Sequence, residues 1–303
     1  MHKKAVPRIG GLAMYVSFLI AEIVGFSIYH NLLSELATEL IGINLSLAVL
    51  VAGGIIDDIK QLKPGQKLFF QLAAAAITVA FGYQVRLLTI PFWGTVGLGS
   101  WGIPITMIWI VGLINAMNFL DGMDGLAAGV GFIISATFFA SGLIFETEFP
   151  VIVACGLMGI TAGFLKFNYP PASIFMGDSG SMMLGYLFAV ISVIWPKSIA
   201  TITMIVPIAA LGVPLIESSI TIIRRIFMRQ SIYKADSLHI FHILRFLGLS
   251  ETAILWLFYL ISMLFSFVVI AILMPDRGLI TALAAIFILI VFILLLKSSR
   301  KLY

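Results

Sequence analysis

Charge is what this sequence has least of. Asp, Glu, Lys and Arg make up 11% of its 303 residues, whereas 61% are hydrophobic and the mean hydropathy is +1.13. A water-soluble domain of this length has no use for so much apolar surface, and that class is excluded. Cysteine is nearly missing too. Cys155 stands alone inside an apolar run, so there is no disulfide framework and no reading of redox compartment. The positive segment at residues 1–10 is not followed by a small-residue cleavage site, which argues against a signal peptide. Internal repeats and low-complexity tracts are absent, which weighs against a repeat-built transporter. The pI of about 9.2 does not point to nucleic acid, because the basic residues lie in short gaps between apolar runs. Retention of positive charge on the cytoplasmic side of a membrane explains them more simply.

What the sequence has instead is a succession of apolar runs of membrane-spanning length. Their spacing predicts an all-α, polytopic integral membrane protein forming one domain over residues 1–303. About ten transmembrane helices are expected, at 10–29, 41–56, 68–85, 103–119, 126–145, 150–166, 181–195, 199–223, 252–274 and 279–296. With both termini cytoplasmic, fifteen of the 18 Lys and Arg fall on that side, leaving Arg86, Lys197 and Arg277 outside. Six of seven aspartates share the cytoplasmic side: Asp57, Asp58, Asp121, Asp124, Asp178 and Asp236. The far-side segment 86–101, with β-branched residues around Gly94, predicts a short hairpin flanked by Trp93 and Trp101 as interfacial anchors. Pro207, Gly212 and Pro214 predict a kinked or broken eighth span, with Glu217 just beyond.

Four polar stretches carry the chemistry. Asn115 to Ala127 places two carboxylates, Asp121 and Asp124, and two carboxamides, Asn115 and Asn118, in a short gap between spans. Charge beside hydrocarbon is expensive, so these acids suggest a metal or phosphate site, although a polar hairpin is the plainer reading. The loop is not an EF-hand, since the later oxygen ligands and closing Glu are missing. Asp57-Asp58 follows the second span, where a helix C-terminus disfavours acids and asks for a compensating ligand. Lys60, Lys63 and Lys67 are near enough to help, or are simply loop charges. In 168–181, Gly177 and Gly180 flank Asp178, which suits one carboxylate offered to a hard metal ion. The loop 224–250 adds five Lys or Arg with His239 and His242, suited to the phosphates of an anionic substrate or simply basic and juxtamembrane.

Taken together these blocks resemble the polyprenyl-phosphate N-acetylhexosamine-1-phosphate transferases. The match covers Pro7-Arg-Ile-Gly-Gly11, Asp57-Asp58, 115–127, 168–181 and the His239–His242 loop, in the family's order. Within the family the sequence looks closer to the N-acetylglucosamine-1-phosphate branch, because it lacks the adjacent histidines of the muramoyl-pentapeptide branch. The resemblance implies a bacterial cytoplasmic-membrane enzyme whose active site faces the cytoplasm. A UDP-sugar and undecaprenyl phosphate would give undecaprenyl-diphospho-sugar and UMP, with Mg²⁺, or Mn²⁺, as cofactor. It implies Asp178 and Asp121 as metal ligands, and Asp57, Asp58, Asp121 and Asp124 as the catalytic acids. Asp57 or Asp58 would orient or deprotonate the lipid phosphate. Asn118, Asn168 and Phe175 would surround the nucleotide, with Phe175 stacked on the uracil, and Lys67, His239 and His242 would bind phosphate. The implied partners are the UDP-sugar, the lipid phosphate, the membrane and a second copy of the chain.

The sequence also departs from its family. Phe241 replaces a usual histidine, Gln61 stands where some members have a third acid, and most members have a further span before Pro7–Gly11. Helical spacing predicts that His239 and His242 share a face while Phe241 points elsewhere. The alternatives are the muramoyl-pentapeptide transferase reaction and, from a different class, an anion transporter. A transporter would carry its ionisable groups near the midplane of its spans rather than at one face.

Overall fold

The computed structural model describes residues 6–28, 37–90, 94–194, 205–228, 239–274 and Ile286. In hydrocarbon a chain must satisfy its own backbone, and the apolar runs accordingly form helices. In chain order they are α1 (Gly10–Ile28), α2 (Ala37–Lys60), α3 (Pro64–Ala80), α4 (Gly102–Leu120), α5 (Leu126–Ile144) and α6 (Glu148–Asn168). They continue with α7 (Gly177–Ile194), α8 (Ile205–Ala210), α9 (Gly212–Phe227), α10 (Ile240–Phe246) and α11 (Glu251–Leu273). Between α3 and α4 lies the expected hairpin, β1 (Leu87–Ile90) against β2 (Gly94–Gly97), antiparallel with Leu87 opposite Gly97. Trp101 beside it is 73% exposed, as an interfacial anchor should be, while Trp93 lies outside the described residues.

Among the described residues seven helices, not ten, are long and apolar enough to cross a membrane. The protein is a multi-pass membrane protein on that ground alone. The missing three have separate reasons. The third expected span is α3, which starts at Pro64 and has only 17 residues. Lys67, expected outside the span, lies within this helix because carboxylates from two other helices neutralise it. The eighth is divided: Pro214 has no N–H for the carbonyl of Ala210, and the helix breaks at Leu211 between α8 and α9. The tenth, 279–296, falls outside the described residues apart from Ile286, as does Asp236.

The centre of the bundle is α7, with 83% of its spanning window buried. Its glycines let neighbours in. A Cβ on Gly185 would lie 2.5 Å from the carbonyl of Leu113 on α4. Its polar side chains are paired across helices, as a low-dielectric interior requires. Tyr186 Oη and Thr78 Oγ1 are 2.9 Å apart, Thr78 donates to Ser46 Oγ at 3.0 Å, and Trp109 Nε1 donates to Ser192 Oγ at 2.7 Å. The antiparallel order of the helices fixes where the polar stretches go. The C-terminal ends of α2, α4 and α6 and the N-terminal ends of α3, α5 and α7 gather at one end of the bundle, and the hairpin lies at the other.

Candidate active site

The acidic pair at the end of α2 is compensated from within the protein. α2 runs to Lys60, so Asp57 and Asp58 sit in its last turns rather than in the loop beyond it. Asp58 crosses to the amino end of α7, accepting from the N–H of Asp178 at 2.7 Å, the N–H of Ser179 at 3.2 Å and the hydroxyl of Ser179 at 2.7 Å. A carboxylate on the positive end of a helix satisfies donors that have no partner inside that helix. This close crossing explains two glycines. A Cβ on Gly177 (φ +71°) would meet both Asp58 oxygens at 2.6 Å, and one on Gly54 would lie 2.4 Å from the Cα of Ser179. Asp57, 6% exposed, accepts from the Leu62 N–H at 2.6 Å and pairs with Lys67 Nζ at 2.7 Å. Lys67 also reaches Asp178 Oδ2 at 2.5 Å, so one ammonium bridges two carboxylates.

Three loops are stitched together beside this crossing. Asn168, only 2% exposed, accepts from the Gly125 N–H at 2.9 Å and donates to the Ile174 carbonyl at 3.0 Å. Asp124 accepts from the Ala172 N–H at 2.9 Å, and Tyr259 donates to the Gly125 carbonyl at 2.7 Å. The turn 121–125 is thereby fixed to the loop 169–176. The Pro7–Gly11 block then lies along the same loop through backbone alone. Phe175 N–H donates to the Pro7 carbonyl at 2.9 Å, Gly10 N–H to Phe175 at 3.1 Å, and Gly11 N–H to Met176 at 2.8 Å. Glycine is needed at 10 and 11 because a Cβ there would sit 2.6 Å from the Phe175 oxygen or 2.2 Å from the Gly180 nitrogen. Deeper in the bundle, Asn115 donates to Gln71 Oε1 at 2.8 Å, and Asn118 donates to Ser181 Oγ at 2.9 Å.

A cavity of about 780 Å³ opens over these loops, within the size range of small-ligand sites. Asp58, Asp121, Asp124 and Asp178 line it with Arg8, Asn168 and Phe175, and α10 closes one side with Phe241, His242 and Arg245. Lys67 is already shared between Asp57 and Asp178, and Arg245 pairs with Glu251 at 2.9 Å, so among the described residues the four aspartates outnumber the cations that face them. The imbalance is felt at Asp121. Loss of water, then the charges of Asp178, Asp58 and Asp124, push its pKa well above the usual carboxylate range, with only Arg8 opposing. A site with surplus negative charge fits a divalent cation. Among the described residues no three His, Cys, Asp or Glu side chains converge to hold one. A hard ion here would take one or two aspartate oxygens, from Asp178 and Asp121, and complete its shell with phosphate and water.

The last loop departs from its expected geometry. His239 precedes α10 with extended backbone (φ −66°, ψ 160°), so the helical spacing that would put it on the face of His242 does not apply to it. Its ring turns to Glu217, with Nδ1 and Oε1 3.2 Å apart. Phe241, expected to point elsewhere, is 4% exposed and packs on Gly122, where a Cβ would come within 2.4 Å of its ring. Its ring centroid lies 4.3 Å from that of His242.

Residues 40–196 match the sequence profile of glycosyl transferase family 4. The chain belongs to this family. It is similar over 294 residues, at 35% identity, to a probable undecaprenyl-phosphate N-acetylglucosaminyl 1-phosphate transferase of Bacillus subtilis, covering 96% of this chain and 80% of that protein. A decaprenyl-phosphate N-acetylglucosaminephosphotransferase of Mycobacterium leprae is 33% identical over 86% of this chain and 71% of its own length. A phospho-N-acetylmuramoyl-pentapeptide-transferase of Clostridioides difficile is 31% identical over 88% of this chain and 83% of its own.

The stretch matched to family 4 runs from α2 to α7 and contains every aspartate that lines the cavity. Of the residues singled out by sequence, Asp58, Asp121, Asp124, Asn168, Phe175, Asp178 and His242 line that cavity. Asp57, Lys67, Asn118 and His239 stand behind it, each bonded to a neighbour. Sequence reasoning gave no site role to Arg8 or Phe241, and took Arg245 only as one of five cations in a loop suited to phosphates. Arg8 was signalled by a positive charge inside the Pro7–Gly11 block, and Arg245 by its place in a basic loop. Phe241 was signalled as a departure from the family's histidine, but nothing local showed that it would line the cavity.

Proposed function

We propose that this family 4 protein transfers a sugar 1-phosphate, N-acetylglucosamine 1-phosphate in the first instance, from a UDP-sugar to undecaprenyl phosphate. The products are undecaprenyl-diphospho-sugar and UMP. The observation that carries the reading is the cavity itself: four aspartates and Arg8, drawn from the stitched loops and from the crossing of α2 and α7, at one end of a membrane-spanning bundle. A water-soluble nucleotide and a lipid phosphate have to meet at such a boundary. The activities for which the relatives from Bacillus subtilis and Mycobacterium leprae are named support the sugar and the lipid class.

An oxygen of the lipid phosphate attacks the phosphorus that carries the sugar, and the bond from that phosphorus to the bridging oxygen breaks. UMP leaves with the bridging oxygen. The lipid phosphate, with a second pKa of about 6, is largely dianionic at neutral pH and needs no strong base. The surroundings of Asp57 and Asp58 support that economy, because their oxygens already hold Lys67, the Leu62 N–H and the amino end of α7. Their part is to set the position of Asp178. Arg8, His242 and Arg245 hold the diphosphate, and Phe175 faces the base. Asp178 and Asp121 would hold Mg²⁺, which when bound would supply charge neutralisation at the phosphates, in keeping with the surplus of carboxylates. Positioning and charge neutralisation, in this reading, lower the barrier more than proton transfer does.

The test is direct. Purified protein is incubated with Mg²⁺, undecaprenyl phosphate and a panel of UDP-sugars, and the lipid product is identified by mass. UDP-N-acetylglucosamine should give the diphospho-sugar lipid and stoichiometric UMP. A product formed only from UDP-N-acetylmuramoyl-pentapeptide would move the protein to the other branch, and no product with any sugar would refute the reading.

A further inference from the structure

Glu217 takes no part in the chemistry above, and its burial asks for a reason. It lies in the second turn of α9, just beyond the break, and is 1% exposed. A carboxylate buried among membrane helices is costly unless it is given partners. One oxygen, Oε1, accepts from the Ile240 N–H at 3.1 Å and lies 3.2 Å from Nδ1 of His239. The other, Oε2, has no hydrogen-bond partner among the described residues. The Ile240 N–H is the first donor of α10 and lacks an intrahelical partner, and the His239 side chain does not cap it. Glu217 therefore caps α10 from a different helix.

The consequence passes along α10 into the cavity. The first turn that Glu217 holds carries Phe241, which packs on Gly122 beside Asp121, and His242, which lines the cavity. Further support comes from Phe119 at the end of α4, whose ring lies 5.9 Å from that of His239 and 5.5 Å from the guanidinium of Arg225. We propose that Glu217 is a positioning residue that clamps α10 over the cavity, so that His242 and Arg245 are held where the diphosphate of a nucleotide sugar binds. This proposal rests on the transferase reading. It assigns Glu217 a role in nucleotide affinity, reached through His239 and Ile240 rather than by contact with substrate.

Two measurements on the purified full-length chain test it. Hydrogen exchange of residues 239–246 reads the clamp without any turnover. Glu217→Ala should lose protection there, while Glu217→Gln, which keeps an acceptor oxygen, should retain it. Steady-state kinetics read the consequence. Glu217→Ala should raise KM for the UDP-sugar about tenfold or more, the value of one charge-assisted contact, with a smaller change in kcat. Glu217→Gln should stay within about threefold of the parent, as a neutral acceptor replaces a charged one. Adding His239→Ala to Glu217→Ala should cost little more, since both remove the same contact. If exchange in 239–246 and KM are unchanged in Glu217→Ala, the clamp is refuted while the transferase reading stands. If kcat alone falls, equally in the Ala and Gln variants, Glu217 supports folding only and the proposal fails. If the exchange pattern holds but the parent transfers no sugar phosphate, the functional reading falls and the clamp remains.

Discussion

At the scale of single residues, the site is defined by how each carboxylate is paid for. Asp58 is stabilised by three donors at the start of α7, and Asp57 by Lys67 and a backbone N–H. Burial and like charges press hardest on Asp121, and this has a measurable sign. A carboxyl whose folded pKa is raised helps stability below its unfolded pKa, and that help is lost as pH rises towards the folded value. In chelator-treated protein, Asp121→Asn should therefore raise the thermal midpoint at neutral and alkaline pH and have little effect in acid. The same variant should be poorly active with Mg²⁺ present. A midpoint shift that is independent of pH would mean that Asp121 is not the crowded group. Asp178→Ala should cost about a hundredfold or more in turnover, if the cation it helps hold supplies several kcal/mol to the transition state. Near-parent activity across a Mg²⁺ titration would remove Asp178 from the metal site. The sequence made the identities of these acids legible because charge is so scarce in it. It could not show that Asp58 spends both oxygens on a distant helix, since that depends on a crossing between residues 120 positions apart.

At the scale of elements, the hairpin and the broken helix were both readable, because Gly94 and the prolines at 207 and 214 impose local geometry on the chain. Helix ends were less readable. Charge at Lys67, Asp57 and Asp58 suggested that the second and third spans stop short of them, yet α2 and α3 carry all three residues inside helices, pairing Asp57 with Lys67 and bonding Asp58 to the start of α7. The turn before α10 shows the opposite failure. Helical periodicity was extended to His239, one residue before the helix begins; its ring turns to Glu217 while its centroid lies 6.4 Å from that of His242. The crossing of α2 and α7 offers the element-level test. Gly177→Ala should cost at least about 1–2 kcal/mol for its left-handed backbone, and more because the added Cβ meets the Asp58 carboxylate. Its thermal midpoint should fall by several degrees, whereas Gly159→Ala, with nothing near its Cβ, should leave the midpoint almost unchanged. Equal midpoints for the two variants would show that the close approach is not required.

At the scale of the whole molecule, the uneven distribution of Lys and Arg and the clustering of aspartates both pointed to a site at one membrane face. The helix order accounts for that clustering, since alternate helix ends return to the same side. We propose that this side is cytoplasmic. In a Cys155→Ser background, single cysteines at Lys63 and Arg245 should react with a membrane-impermeant maleimide only after the cells are opened. One at Glu148, at the opposite end of the bundle, should react in intact cells. Labelling of all three from one side would overturn the arrangement, and complete reversal would place the cavity outside.

The salt-bridged crossing of α2 and α7 carries one more consequence. The carboxylate assigned to the metal stands on the first turn of the most buried helix, and the residue that caps that turn belongs to another spanning helix. There is no hinge between the reaction centre and the interior. Heating that separates α2 from α7 must displace Asp178, so the bundle cannot melt at this crossing and still work. Its inactivation curve and its unfolding curve should superimpose, and detergents that preserve one should preserve the other.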